Sequence, residues 1–267
     1  MPELPEVENV VRTLHPRLVG RTIRRVILHR DDFATPATFE WQTLVGRRFV
    51  GVARRAKRIV IELCQGDRLL AGLGMTGRLT FTADAAQPAA KHTHVVFRVD
   101  GGELRFCDPR RFGFLTWIGT GPHDVGLGPE PLTLSATKLH GLLQTTSRPV
   151  KSALLDQGLI AGLGNIYADE ALFAAGIHPL TPCRAIDRDA AVRLSRAIKR
   201  TLRRAIDAGG STLRDYVDGD GRAGSFQTLH RVYGREAKPC HKCRGELMRI
   251  VLTGRSTHFC PACQPAA

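Results

Sequence analysis

The sequence lacks any long apolar run: nothing in it approaches the ~20 residues a helix needs to cross a bilayer. It also lacks a basic-then-apolar leader, since its first residues are acidic and helical in pattern, so secretion is not expected. No polybasic cluster stands beside a lipidation motif, which removes a membrane surface as the natural partner. There is no internal repeat and no low-complexity tract. Acidic residues are scarce. Against 25 Asp and Glu stand 39 Lys and Arg, giving a formal charge of +14 and a pI near 10.2. A surplus of that size points to nucleic acid, because each phosphate neutralised by Lys or Arg releases counterions. A cytoplasmic, nucleoid-associated protein is the expectation.

In bulk the chain is ordinary: 267 residues, 43% hydrophobic and 24% charged, enough for two modest domains with real cores. From about 20 to 118 it reads as short strands with turn residues between them, and VDGGE predicts a hairpin turning at Gly101-Gly102. That many strands with one leading helix predict a β-sandwich or barrel. Near GLGPEP (126–131) the texture becomes helical and stays so to about Gly210. DGDGRAGSF (218–226) reads as a mobile stretch, and the tail from 235 as a small separate module. The expected class is therefore α+β, with domains at 1–130, 131–234 and 235–267.

The start, MPELPEVE, places Pro2 directly after the initiator and Glu3, Glu6 and Glu8 close behind. Val7, Val10, Val11, Leu14 and Leu18 recur at helical spacing, so proline and glutamates there could simply open a helix. The chemical alternative is that loss of Met1 leaves Pro2 with a free secondary amine.

Cys240, Cys243, Cys260 and Cys263 form C-x2-C, sixteen residues, then C-x2-C, the spacing of a four-thiolate zinc ribbon. With no open-site ligand the Zn2+ is expected to be structural, and so small a module to unfold without it. Between the knuckles LMRIVLTGRSTHF predicts a hairpin turning at Thr253-Gly254, with Arg255 lifted to its tip, where it suits either a phosphate or plain solvent. Cys64, Cys107 and Cys183 are scattered and read as reduced, mostly buried thiols. In the helix near 188–207, Leu194, Ile198 and Leu202 make one face and Arg193, Arg196, Arg200 and Arg203 another, which reads as solvated. In GLIAGLGNIYADEAL, glycines break an apolar helical run just before Asn165, which could be a phosphate-binding turn or an N-cap.

Taken in order, MPELPEVE, RRAKR, GMTGRL, DPRRFG, LLDQGLIAGLGNIYADEAL, VYGRE and GRSTHFCPAC resemble the bacterial formamidopyrimidine-DNA glycosylases across essentially the whole chain. The resemblance implies an N-terminal β-sandwich with its leading helix, a helix–two-turn–helix domain and a zinc finger. It also implies a monomer that works on double-stranded DNA carrying oxidised purines or abasic sites, excising the base and cleaving the strand. Pro2 would be the nucleophile, Glu3 its acid–base partner and Lys57 a catalytic lysine near the target phosphate, with Glu6 and Lys151 as further active-site groups. Met75, Arg110 and Phe112 would fill the gap left by a flipped nucleotide, and His94, Asn165 and Arg255 would contact DNA. Two departures bear on base preference rather than on the nucleophile: Ala223 and Ser225 stand where family members often carry Pro and Tyr, and Thr93 replaces an acid between histidines. Alternatives are an endonuclease VIII-like enzyme for oxidised pyrimidines, which Leu4 argues against, or a non-catalytic zinc protein that binds damaged DNA.

Overall fold

The computed structural model describes residues 2–30 and 32–266, and the question of Met1 therefore lies outside the described residues. The chain forms two compact units. One runs to Val125 and takes in Ala208–Ser225; the other comprises Gly126–Asp207 and continues from Phe226.

The first unit opens with helix α1 (Leu4–Leu18), whose Val7, Val10, Val11, Leu14 and Leu18 are all buried, as the spacing predicts. Each such side chain contributes about 1.5–3 kcal/mol when it leaves water. Among the described residues nine strands follow in two sheets. β1 (Ile23–Leu28), β7 (Thr93–Val99), β8 (Gly102–Cys107) and β6 (Arg78–Thr82) form one, in the order β1-β7-β8-β6. β2 (Ala34–Thr35), β9 (Phe114–Gly119), β5 (Arg68–Gly72), β4 (Arg58–Leu63) and β3 (Phe49–Arg55) form the other. Val26, Phe97 and Phe106 from the first sheet, Phe49, Ile61 and Leu115 from the second, and Val10 and Leu14 from α1 belong to one apolar core. This is the expected sandwich with its leading helix.

The β7–β8 turn differs from expectation by one residue. Val99 pairs with Gly102, so the loop is Asp100-Gly101, with Gly101 at φ +70°. Asp100 is tied back by the Thr22 N–H just ahead of β1 at 3.2 Å and by Arg24 Nε on β1 at 2.7 Å, which fixes it inside the turn.

The stretch 218–226 is also more tightly held than its glycines imply. Asp218 Oδ1 accepts the amides of Asp220 and Arg222, Gly219 N–H donates to Thr13 Oγ1, and the Gly219 carbonyl accepts from Phe81 N–H. Gly219 and Gly224 press so closely on Thr13 and on Gly210 that a side chain would meet atoms 2.6 Å and 2.3 Å away. Residues 208–225, which the sequence groups with the helical region, thus pack on α1 and β6.

The second unit contains α2 (Ala136–Gln144), α3 (Val150–Leu155), α4 (Asn165–Ala175) and α5 (Arg188–Asp207), then the hairpin β10 (Met248–Leu252) and β11 (Arg255–Phe259). α5 buries Leu194, Ile198 and Leu202 and exposes Arg193, Arg196, Arg200 and Arg203, as predicted. α3 stops at Leu155, earlier than the apolar run implies, and residues 156–164 turn twice before α4 begins. The β10–β11 turn falls on Thr253 and Gly254, at φ +48° and +73°, as expected. Among the described residues no helix is long and apolar enough to cross a membrane.

Candidate active site and nucleic-acid interface

Pro2 is buried and lies one residue ahead of Glu3, the N-cap of α1, whose own backbone is extended. The proline inside the first turn is Pro5, so Pro2 has no helix-starting duty and the purely helical explanation for it fails. Glu3 and Glu6 are 3% and 2% exposed. Glu6 Oε2 accepts the Glu3 N–H at 2.8 Å, and Oε1 accepts the Ser211 N–H at 2.7 Å. Its carboxylate therefore clamps the N-terminus to the segment that returns at 208–225. The Tyr216 hydroxyl lies 3.1 Å from the carbonyls of Glu6 and Gly209, completing that clamp. Burial, then the charges of Glu6 and Asp218, push the Tyr216 phenol well above its usual range.

Lys57 sits half-buried in the β3–β4 turn beside Ala56, whose φ is +56°. Arg54 braces that turn, donating through Nη1 to the Ala56 carbonyl at 3.1 Å and through Nε to Glu8 on α1 at 2.8 Å. Burial works upward on the Glu8 carboxyl, but its hydrogen bonds to Arg54 and Arg12 outweigh this and leave it below its usual value. Lys57 is thus held at a turn that α1 itself supports.

Met75, Arg110 and Phe112 are all exposed, Met75 at 44% and Phe112 at 56%, so neither apolar side chain belongs to the core. The Arg110 guanidinium lies over the Phe112 ring, 4.5 Å from its centroid. The two loops that carry them are knotted by Asp108, which is fully buried. Its Oδ1 accepts from Thr76 Oγ1 at 2.5 Å and Arg110 N–H at 3.2 Å, and its Oδ2 from Gly113 N–H at 2.7 Å. Gly74 is at φ +58°, and a Cβ there would come within 2.4 Å of the Phe112 backbone. His94 is 4% exposed, its Nε2 2.8 Å from the Asp108 carbonyl. It supports the loop from beneath and presents no face to solvent, unlike the exposed His92 beside it.

In the second unit Asn165 is the first residue of α4, and Gly164 is the N-cap, so the capping explanation for Asn165 fails. Its Nδ2 donates to Ser256 Oγ at 3.3 Å, and its Oδ1 finds no partner among the described residues. Arg255, exposed, opens β11 next to the turn. Lys151 is fully buried on α3 and therefore has no open face for a substrate.

The four cysteine sulfurs lie within 4.8 Å of one another, with Cys240–Cys263 at 3.9 Å and Cys243–Cys260 at 3.4 Å. A tetrahedral zinc with Zn–S bonds of ~2.3 Å requires sulfurs ~3.8 Å apart, so the cluster fits that ion. The Lys242 N–H points at Cys240 Sγ from 3.3 Å. Burial raises the Cys240 thiol, but the amides of Cys243 and Lys242 outweigh it and bring it down to about 7. Phe173, Val232 and Leu247 pack with Cys240 and Cys260, so the module shares an apolar cluster with α4. Of the scattered cysteines only Cys183 is buried, and burial raises its thiol to about 11; Cys64 and Cys107 are half-buried.

Three supporting acids escape a sequence reading. Asp108 precedes a proline in DPRRFG, and such an Asx-Pro step is the turn signal that could have found it. Asp169 and Glu170 are adjacent acids in the apolar run of α4, and both are buried. Glu170 accepts backbone N–H groups of Arg231, Val232 and Tyr233 at 2.9–3.0 Å. Burial pushes its carboxyl upward, opposed by those amides.

Comparison with known proteins agrees along the whole length. The formamidopyrimidine-DNA glycosylase N-terminal domain matches residues 1–115, the H2TH domain of the same enzymes residues 127–217, and the zinc finger found in FPG and IleRS residues 237–266. Formamidopyrimidine-DNA glycosylases of Thermus thermophilus and Heliobacterium modesticaldum are 46% and 44% identical, each alignment covering 99% of this chain and 98% and 100% of the relative. The crystal structure of the MutM (Fpg) protein from T. thermophilus superposes with a TM-score of 0.89 at 41% identity, over all of both chains. The Lactococcus lactis Fpg, solved in complex with DNA containing an abasic site, superposes at 0.92 with 33% identity, over 99% of this chain and 100% of that one. The chain therefore belongs to the formamidopyrimidine-DNA glycosylase family.

Proposed function

We propose that this protein is a bifunctional DNA glycosylase and abasic-site lyase that excises oxidised purines, 8-oxoguanine and formamidopyrimidines, from duplex DNA. The observation that carries the reading is Pro2 with Glu3, buried together ahead of α1 and free of any helix-starting role, in a chain that matches all three domains of the family. The chemistry requires that Met1 be removed, since an acylated proline nitrogen has no lone pair to give.

The target C1′ lies inside a duplex, so the nucleotide must first be everted. Exposed Met75 and Phe112 suit the role of wedge, and Arg110 that of partner to the widowed base. The Pro2 amine then attacks C1′; the C1′–N9 bond breaks and its electron pair leaves with the base, which takes up a proton. A chain-terminal amine ordinarily titrates at ~7.7–8.0, against ~10.4 for lysine, so much more of it is free base near neutrality. Glu3 is the nearest carboxyl in sequence to move protons at the sugar. The amine loses its proton and the C1′–O4′ bond opens with a proton delivered to O4′, giving a ring-opened iminium that acidifies C2′–H. Loss of that proton expels the 3′ phosphate, and loss of the C4′ proton in a second elimination expels the 5′ phosphate. Addition of water to the iminium carbon and departure of the amine return free Pro2. Lys57 is assigned to the phosphate and to proton transfer during elimination, and Glu6 to holding the N-terminus in place. Asn165 and Arg255 are assigned to backbone phosphates, contacts that position the strand without reading sequence. Zn2+, bound by the four cysteines, supplies no chemistry to the reaction and holds the Arg255 hairpin.

Borohydride trapping on a duplex with one 8-oxoguanine opposite cytosine, followed by peptide mapping, tests this directly. An adduct on Pro2 is expected, absent in Pro2→Gly. Strand cleavage by Pro2→Gly at the wild-type rate, or faster release of thymine glycol than of 8-oxoguanine, would overturn the assignment.

A further inference from the structure

Lys151 on α3 and Asp169 on α4 are 0% exposed and face each other, Asp169 Oδ1 lying 2.6 Å from Lys151 Nζ. The ammonium also donates to the Ser256 carbonyl and to Thr257 Oγ1, both at 2.8 Å. The contact with Asp169 Oδ1 is a close ion pair rather than an aligned hydrogen bond, since that oxygen has no hydrogen-bond partner among the described residues. The other Asp169 oxygen accepts the His258 N–H at 2.9 Å and lies 3.1 Å from that ring's Nδ1. One buried ion pair thus holds the three residues that follow Arg255, in order, against the helices. Strand pairing with β10 sets the register of Arg255, opposite Leu252, but not its position relative to α4. Asn165 bonds to Ser256 from the start of that same helix.

We propose that Lys151 and Asp169 are positioning residues for the Arg255 turn: their ion pair fixes Arg255 against Asn165 so that the two side chains engage one phosphate backbone. The proposal rests on the assignment of Arg255 to phosphate made above. It differs from the expectation that Lys151 is itself an active-site group, since its ammonium is fully buried and turned to Ser256, Thr257 and Asp169 within the protein.

The charges of the pair make the idea testable. If the two residues acted only through the protein's general field, removing the lysine would weaken DNA binding and removing the aspartate would strengthen it. A positioning role makes both weaken it. The measurement is fluorescence anisotropy on a duplex with a stable abasic-site analogue, at salt from about 50 to about 200 mM, where the Debye length is near 10 Å. Variants are Lys151→Met, Asp169→Asn, the charge-neutral double Lys151→Met/Asp169→Asn, Arg255→Ala and Asp169→Asn/Arg255→Ala, each first shown to hold one zinc and to melt cooperatively. Arg255→Ala is expected to weaken binding about tenfold or more and to reduce the salt slope by about 0.9, one phosphate's worth. Asp169→Asn should do much the same, the neutral double should also lose affinity although net charge is unchanged, and Asp169→Asn should add less than about twofold once Arg255 is gone. Tighter or unchanged binding by a folded Asp169→Asn or by the neutral double, or a full further loss in the Arg255→Ala background, overturns the proposal alone. Unchanged binding by Arg255→Ala itself overturns both this and the assignment of Arg255.

Discussion

Asp108 makes a quantitative demand on the loops that carry Met75, Arg110 and Phe112. Its carboxylate is fully buried and accepts from the Thr76 hydroxyl, the Arg110 N–H and the Gly113 N–H. Truncation in Asp108→Ala leaves the Thr76 hydroxyl and the Gly113 amide without that acceptor. At about 1–3 kcal/mol for each stranded buried donor, the loss should total about 2–6 kcal/mol. Asp108→Asn is different. Turned so that its NH2 replaces Oδ1, the amide keeps the Gly113 bond through its oxygen and donates to the Thr76 hydroxyl, which rotates to accept. What remains is the loss of charge assistance and of one contact to Arg110, about 1–2 kcal/mol. The chain's two tryptophans, Trp41 and Trp117, both lie in the first unit, so their fluorescence in urea follows this unit without interference from the other. The functional readout is excision of 8-oxoguanine opposite cytosine against adenine. If Arg110 reads the opposite base, Asp108→Asn should cut that discrimination by about fivefold or more, the lower range of a side chain–base contact. Equal destabilisation by Asn and Ala would show that hydrogen-bond geometry is not what holds the knot. Unchanged discrimination in a folded Asp108→Ala would show that the loops position themselves without it.

Removing the zinc with a chelator should abolish DNA binding while leaving tryptophan-reported unfolding of the first unit within about 0.5 kcal/mol, because the metal closes only the module bearing Arg255; full-affinity binding after verified zinc loss would contradict this. Gly74→Ala places a Cβ 2.4 Å from the Phe112 backbone at φ +58°, and should cost about 3 kcal/mol or more in the same fluorescence assay. Burial lowers His230 to about 4 against an ordinary 6.5, so between those values the unfolded chain binds a proton that the folded chain refuses. Stability should fall by roughly 3 kcal/mol as pH drops through that window, and His230→Gln should lose that part of the slope in thermal melts from about pH 7 to about 4.5; parallel curves would refute it.

What the sequence made legible and what it hid divide along a physical line. The four-cysteine cluster, the α1 stripe, the α5 faces and the Thr253-Gly254 turn were readable because each is encoded by spacing within one segment: a C-x2-C knuckle, a 3.6 period, a pair of residues at positive φ. The displaced β7–β8 turn shows the limit of that code. Asp100-Gly101 and Gly101-Gly102 are both acceptable pairs, and the choice came from Thr22 and Arg24, nearly eighty residues earlier in the chain. Exposure was the other blind spot. Met75 and Phe112 would be assigned to the core by residue type, yet both face solvent, whereas Lys151 and His94, polar residues, are buried.

Glu170 carries this further. Its partners are the backbone amides of residues 231 to 233, groups that every residue but proline offers, so no residue type near 231 could have betrayed the contact. What the sequence did display was the anomaly: two adjacent acids, Asp169 and Glu170, inside an otherwise apolar helix, where unpaired charge is costly. Both cases resolve in the same way. Asp169 takes the amide of His258 and Glu170 those of 231–233, so α4 grips the chain just before the zinc-finger module and again on β11 within it. A buried acid in an apolar helix is thus better read as a backbone clamp awaiting its distant segment than as a catalytic group, and Glu6, holding Ser211 across two hundred residues, follows the same rule beside Pro2.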